Sequence, residues 1–157
     1  MAITISTELA DVLAKEDTVK LLVTTDEQGI PHAVVKKSLR LDSDTNRLLY
    51  LELLESSQTN KNMVRSIWFN RVVTVAVIGA QGESYQIKGR PIKAIVSGHA
   101  FRKYYSLVRE KKPEADLAAV WVIEPVEIID ERFSVRLQQE TAAHPYFQHL
   151  DQLAHNE

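Results

Sequence analysis

Two stretches of this chain, Leu48–Leu54 and Val72–Ile78, are apolar at both strand parities instead of alternating with polar residues. Strand side chains point to opposite faces in turn, so such a run needs cover on both faces. A single small barrel does not easily cover both faces of two strands. The pattern therefore predicts an antiparallel barrel that meets a second copy of itself. Between the two runs lie a polar turn, Glu55–Lys61, and an amphipathic helix that ends in Asn70-Arg71. The hydroxyls of Ser56, Ser57 and Thr59 and the Lys61 ammonium crowd the start of that helix. Unpaired backbone N–H groups and the positive dipole end favour an anion there, so the segment outlines a phosphate seat. The competing reading is an ordinary N-cap followed by a solvated basic face carrying Lys61 and Arg65.

The rest of the chain reads as short strands, hairpin turns and two or three helices. Ser6 is placed to cap a helix with Leu9, Val12 and Leu13 at helical spacing. Strands are predicted over Val19–Thr25, Pro31–Leu41, Leu117–Ile123 and Val126–Ile129, with a strand pair around Tyr85–Val96. Gly29 is able to take the positive φ that a tight hairpin needs, and Gly79–Gly82 reads as a further hairpin turn. Gly98–Lys112 reads as a helix with Phe101, Tyr104, Tyr105 and Val108 as its apolar stripe, ended by Pro113. Arg132–Leu137 alternates like an edge strand, and the tail beyond Glu140 is polar. The fold class is mainly β within α+β, in one domain over residues 1–157. Its core covers about 19–129 and a C-terminal extension about 130–157.

Composition removes several function classes. A net charge of -2 gives no global field toward nucleic acid or an anionic membrane. Without cysteine there is no disulfide, thiolate metal site or thiol nucleophile, which fits a reducing compartment. Met1–Ser6 lacks a basic region followed by an apolar block, and no apolar run approaches the ~20 residues of a membrane span. The expectation is a cytoplasmic protein with no nucleic-acid or membrane partner. His144, His149 and His155 do not share one helical face, so no metal site is expected.

Within Ala33–Leu41, strand alternation puts Lys37 on one side with Ala33, Val35, Leu39 and Leu41. A lysine there holds an anion, snorkels to solvent, or marks a bulge that flips the register. At this point the chain resembles the pyridoxamine phosphate oxidase-like, FMN-binding split β-barrel family. Thr59-Asn60-Lys61 is similar to its Ser/Thr-x-Lys phosphate motif, and Asn70-Arg71-Val72 to its Asn-Pro-Arg-Val. Gln86 with Gly89 resembles its Gln-x-x-x-Gly strand with one residue fewer. His32–Lys37 lies where the family has Arg-x-Val-x-x-Lys, His32 standing for the arginine. Trp121–Glu127 resembles the closing strand, and the likeness spans Val19–Ile129.

The resemblance implies a small antiparallel split β-barrel, homodimeric, with FMN at the subunit interface. It implies Lys37, Thr59 and Lys61 at the phosphate, with Ser57 and Asn62 as secondary contacts. Backbone groups of Val34, Val35 and Lys36 would face the polar edge of the ring, and Gln86 would bond ring or ribityl atoms. The implied function is an FMN-dependent oxidoreductase with a small-molecule or protein redox partner. Two alternatives are a non-catalytic electron carrier or redox sensor, and a barrel binding another phosphorylated or haem-related ligand. The Arg-x-His substrate motif of true pyridoxamine phosphate oxidases is absent, because Ser134 and Gln138 follow Arg132 and Arg136 at that spacing. No catalytic residue is assigned.

Overall fold

The computed structural model describes residues 3–144. Ser6 opens the first element. Its hydroxyl accepts the Leu9 N–H at 3.2 Å and starts helix α1 (Thr7–Ala14), whose Leu9, Val12 and Leu13 are buried. Strands β1 (Val19–Thr25) and β2 (Pro31–Val35) form a hairpin around Gly29, which takes φ 80° as its turn requires. Strands β3 (Arg40–Asp42) and β4 (Arg47–Glu52) form the next hairpin. Helix α2 (Gln58–Trp68) leads to β5 (Val73–Ile78) and β6 (Ser84–Ile95). Helix α3 (Gly98–Lys111), strand β7 (Ala119–Asp130) and helix α4 (Phe133–Ala143) complete the described residues. None of these helices is long and apolar enough to cross a membrane.

The strands make one antiparallel sheet in the order β2-β1-β5-β6-β7-β4-β3. Its two end strands, β2 and β3, are joined by residues 36–39 only. That link reaches at most about 18 Å, whereas seven strands laid flat put the end strands about 29 Å apart. The sheet must therefore curl into a split barrel. Ser38 fastens the link to β4: its hydroxyl accepts the Leu51 N–H at 3.0 Å and donates to the Leu51 carbonyl at 3.3 Å. The single strand expected over Pro31–Leu41 is thus two strands and a turn, closed by the Leu39 N–H on the Lys36 carbonyl at 3.1 Å.

The barrel interior packs α1 and Met63 of α2 against Leu22, Tyr50, Val75, Ile87 and Trp121. A second cluster lies outside β4 and β7, where α3 sets Val108, Phe101 and Tyr104 against Leu49, Leu51, Val120 and Val122. The both-face cover that β4 demands therefore comes from the chain itself, which removes half of the sequence case for a second copy. On β5 the outward residues Thr74, Ala76 and Ile78 stay half-buried or exposed, and there the demand stands.

Three further expectations change. The strand pair around Tyr85–Val96 is one strand, β6, whose Pro91 and Gly89 sit at register shifts where the ladder is already interrupted. Pro125 likewise does not divide β7, since it lies opposite Gly89 with Val126 bulged out beside it. Arg132–Leu137 enters helix α4 instead of an edge strand, because β6 pairs with β5 and β7, and β7 with β6 and β4, leaving no edge beside it.

Candidate functional site

The segment from β4 to α2 builds the site. Ser57 is the N-cap of α2, accepting the Asn60 N–H at 3.0 Å, and its hydroxyl donates to the Glu52 carboxylate. Glu52 is only 2% exposed, and its second oxygen accepts the Lys36 ammonium at 3.1 Å. Lys36 also lies 5.2 Å from the centre of the Tyr50 ring. Burial, and then the Glu52 charge, push the Tyr50 hydroxyl well above its ordinary pKa, and that hydroxyl has no hydrogen-bond partner. The positive end of α2 is therefore met by the protein's own carboxylate. Lys36, and not Lys37, is the cation that enters the barrel mouth. Lys37 stands exposed at the corner of the 36–39 turn.

The inner face of α2 is pinned. The Asn62 amide donates to Thr24 Oγ1 at 3.0 Å and accepts from Gln58 at 2.8 Å, while Trp121 Nε1 donates to Asn60 Oδ1 at 2.9 Å. Thr59 and Asn62 are both buried. On the outer face, Lys61, Val64, Arg65, Trp68 and Phe69 line a groove of about 260 Å³. The Lys61 ammonium makes no ion pair or hydrogen bond among the described residues. Arg65 Nη2 pairs with Glu27 at 3.0 Å, but its Nε, though shielded from solvent, has no acceptor. Trp68 is 79% exposed in the chain on its own.

Helix α2 also contacts β2, an end strand of the sheet. The Lys36 N–H donates to the Lys20 carbonyl at 2.8 Å, so alternate residues of β2 turn their polar groups toward β1. Ala33 and Val35 then present N–H and C=O at the free edge. Of the three residues expected to offer backbone groups, Val35 does so and is 52% exposed, whereas Val34 and Lys36 face inward and are half-buried. Gln86 lies on the outer sheet face next to Ala76, where its carbonyl accepts the Lys88 ammonium at 3.0 Å. Lys88 also reaches Thr74 Oγ1 at 3.0 Å.

Lys37 and Lys61 line separate pockets with no wall residue in common. What sequence reasoning missed is Glu52, and its signal was present: one carboxylate within Leu51-Glu52-Leu53, a run otherwise apolar. Among the described residues no three His, Asp or Glu side chains cluster as metal ligands, and His149 and His155 lie outside those residues.

No protein-family model matches this chain, and no curated protein matches it in sequence. Solved structures do match in shape. HupZ of Group A Streptococcus superposes with a TM-score of 0.66 at 19% identity, over 83% of this chain and 96% of HupZ. A candidate pyridoxamine 5'-phosphate oxidase of Listeria innocua gives 0.61 at 15% identity, over 80% of this chain and 96% of that one. An FMN-binding protein of Syntrophomonas wolfei gives 0.59 at 13% identity, over 79% and 82%. The curled seven-stranded sheet with its flanking helices is therefore the split β-barrel of the pyridoxamine phosphate oxidase-like proteins, the fold that the sequence motifs resemble.

Proposed function

We propose that the protein is a homodimeric FMN-binding flavoprotein that works as an oxidoreductase, holding the flavin phosphate in the Lys61–Arg65 groove. The observation that carries this reading is the groove itself. It offers an ammonium with no partner, a guanidinium with a donor to spare and an exposed indole on α2, a helix that contacts the end strand β2. A phosphorylated planar ring asks for that combination, and the shared fold with an FMN-binding protein supports flavin as the occupant. The first turn of α2 is a poorer seat, because the buried Glu52 carboxylate already holds Ser57 and Lys36 there and would repel a phosphate.

The bound flavin would supply the redox chemistry. The chain's own part is position: Lys61 and Arg65 hold the anionic end, Val35 and Ala33 offer backbone donors and acceptors at the β2 edge, and Trp68 shields the groove. Lys61→Ala is expected to weaken FMN binding by about 2 kcal/mol, roughly thirtyfold in Kd. Quenching of flavin fluorescence on titration reads this directly, and an unchanged Kd would place the phosphate elsewhere. Turnover of reduced nicotinamide by the loaded protein separates an enzyme from a carrier or sensor, in which the flavin is reducible without turnover.

The second subunit is assigned to the outer face of β2, β1, β5 and β6. Register lines up Val35, Leu21, Ala76 and Gln86 in one row and Val19 with Ile78 in another, a mostly apolar surface that no other element among the described residues covers. Ala76→Arg puts a charge in the middle of that row and is expected to convert a dimer into a monomer in light scattering after gel filtration. A wild-type protein that is monomeric at tens of micromolar rules the dimer out.

A further inference from the structure

Among the described helices, α4 alone has no buried residue, and its N-cap Arg132 gives the first turn no side-chain hydrogen bond. It has 11 residues. An isolated helix shorter than about 12–15 residues is marginal in water, so packing has to hold this one. Its root is clamped by Arg132, whose guanidinium pairs with Asp130 at 2.6 Å and with Glu8 at 3.5 Å. The same guanidinium lies 5.8 Å from the centre of the Tyr85 ring. Beyond the root, Val135 is half-buried, whereas Phe133 and Leu137 are 78% and 43% exposed. Phe133 and Leu137 stand four apart and share a helix face, which Val135, two positions from each, cannot join. The Phe133–Leu137 pair therefore points away from the barrel that half-covers Val135.

We infer that α4 is an arm that packs onto the second subunit through Phe133 and Leu137, an arrangement that rests on the homodimer proposed above. A second copy is the occupant because of where α4 leaves the sheet. Gln86 lies opposite Ile129, so the row of Val35, Leu21, Ala76 and Gln86 runs on to β7. Ser84, opposite Ile78, accepts the Glu131 N–H at 2.8 Å, so the Val19–Ile78 row ends two residues before Phe133. Helix α4 thus springs from the margin of the face assigned to the second subunit, within reach of a copy seated there. Two-fold symmetry makes the contact twice, each subunit giving one arm and receiving one. A membrane surface fits less well: with Arg136, Gln138, Gln139 and Glu140 beside it, one apolar pair is too little for interfacial insertion.

Hydrogen exchange of the full chain, above and below the concentration at which light scattering shows the dimer to dissociate, reads the arm directly. Amides of α4 should be protected in the dimer and lose at least about tenfold in protection on dissociation, while β5 and β6 keep theirs. Ala76→Arg, which breaks the sheet face itself, should strip α4 of its protection at every concentration. The Phe133→Ser/Leu137→Ser double variant alters two exposed side chains. It should raise the dimer Kd roughly twentyfold, because each contact is lost twice, and leave the urea midpoint of the dissociated chain unchanged. Protection of α4 that survives dissociation would mean that its own chain holds the helix. An unchanged dimer Kd in the double variant would mean that Phe133 and Leu137 face some other partner. Either result overturns the inference and leaves the homodimer standing. A wild-type chain that is monomeric at tens of micromolar removes both.

Discussion

Glu52→Ala is expected to destabilise the protein by about 4 kcal/mol, among the largest losses that one side chain here can cause. The carboxylate is 2% exposed and holds two groups at once, the Lys36 ammonium at 3.1 Å and the Ser57 hydroxyl. Truncation leaves an ammonium, itself only 17% exposed, facing the Tyr50 ring without a counter-charge. It also strands a helix cap's hydroxyl and opens a cavity at the barrel mouth. Urea denaturation measures the effect as a fall in midpoint with an unchanged slope. Two companion variants separate the causes. Glu52→Gln keeps the volume and one acceptor, so it should lose less than half as much. The double variant Lys36→Met/Glu52→Leu removes both charges and should be more stable than either single change. The same double variant should keep its affinity for FMN, since Lys36 spends its charge inside the barrel. A double variant that folds but no longer binds FMN would give the Lys36 side chain a part in the flavin site.

Much of the fold was legible because period and punctuation agreed. The β1 strand, the Gly29 hairpin, the Ser6 cap of α1 and the α3 stripe, apart from the exposed Tyr105, follow from local pattern. The errors share one physical origin, which is that strand boundaries depend on what the neighbouring strand permits. Nothing within Val34–Leu41 announces a turn at residues 36–39; the turn exists because the chain must cross from one end of the sheet to the other. Pro125 looked like a stop, yet a bulge opposite Gly89 accommodates it inside a twelve-residue strand. Parity arguments inherit such slips. Counting along an unbroken strand puts Lys37 on an apolar face, and the break moves it to a cavity rim while Lys36 takes the inward position. In the helix the count was safer, and Lys61 with Arg65 emerged on one outer face as the spacing required. The approach of Arg40 to Lys15 and Lys20 was beyond sequence reach, because β3 and the α1–β1 stretch are brought together only in the folded sheet.

Gly89→Ala is expected to cost about 3 kcal/mol, at the top of the range for overpacking a core. Gly89 has an ordinary backbone conformation, so no strain in φ demands glycine there. Space does. A Cβ built on it collides with Cγ2 of Ile123 and comes within 3.3 Å of the Glu124 carbonyl oxygen. Ile123 is fully buried against the barrel core and has one branched side chain with few rotamers, so it cannot step aside cheaply. The tight approach follows from the bulge at Val126, which brings Pro125 opposite Gly89 and presses β7 onto β6. The entropy that alanine would save in the unfolded chain, about 0.4–1 kcal/mol, offsets only part of this. Pairing the change with Ile123→Ala makes the cause visible. Ile123→Ala alone should lose about 3 kcal/mol by leaving a cavity, but in the double variant the new methyl enters space that Cγ2 vacated. The two losses should therefore fall short of adding by at least about 1 kcal/mol. Strict additivity in urea denaturation would mean that β6 and β7 simply move apart, and that Gly89 is not what sets their spacing.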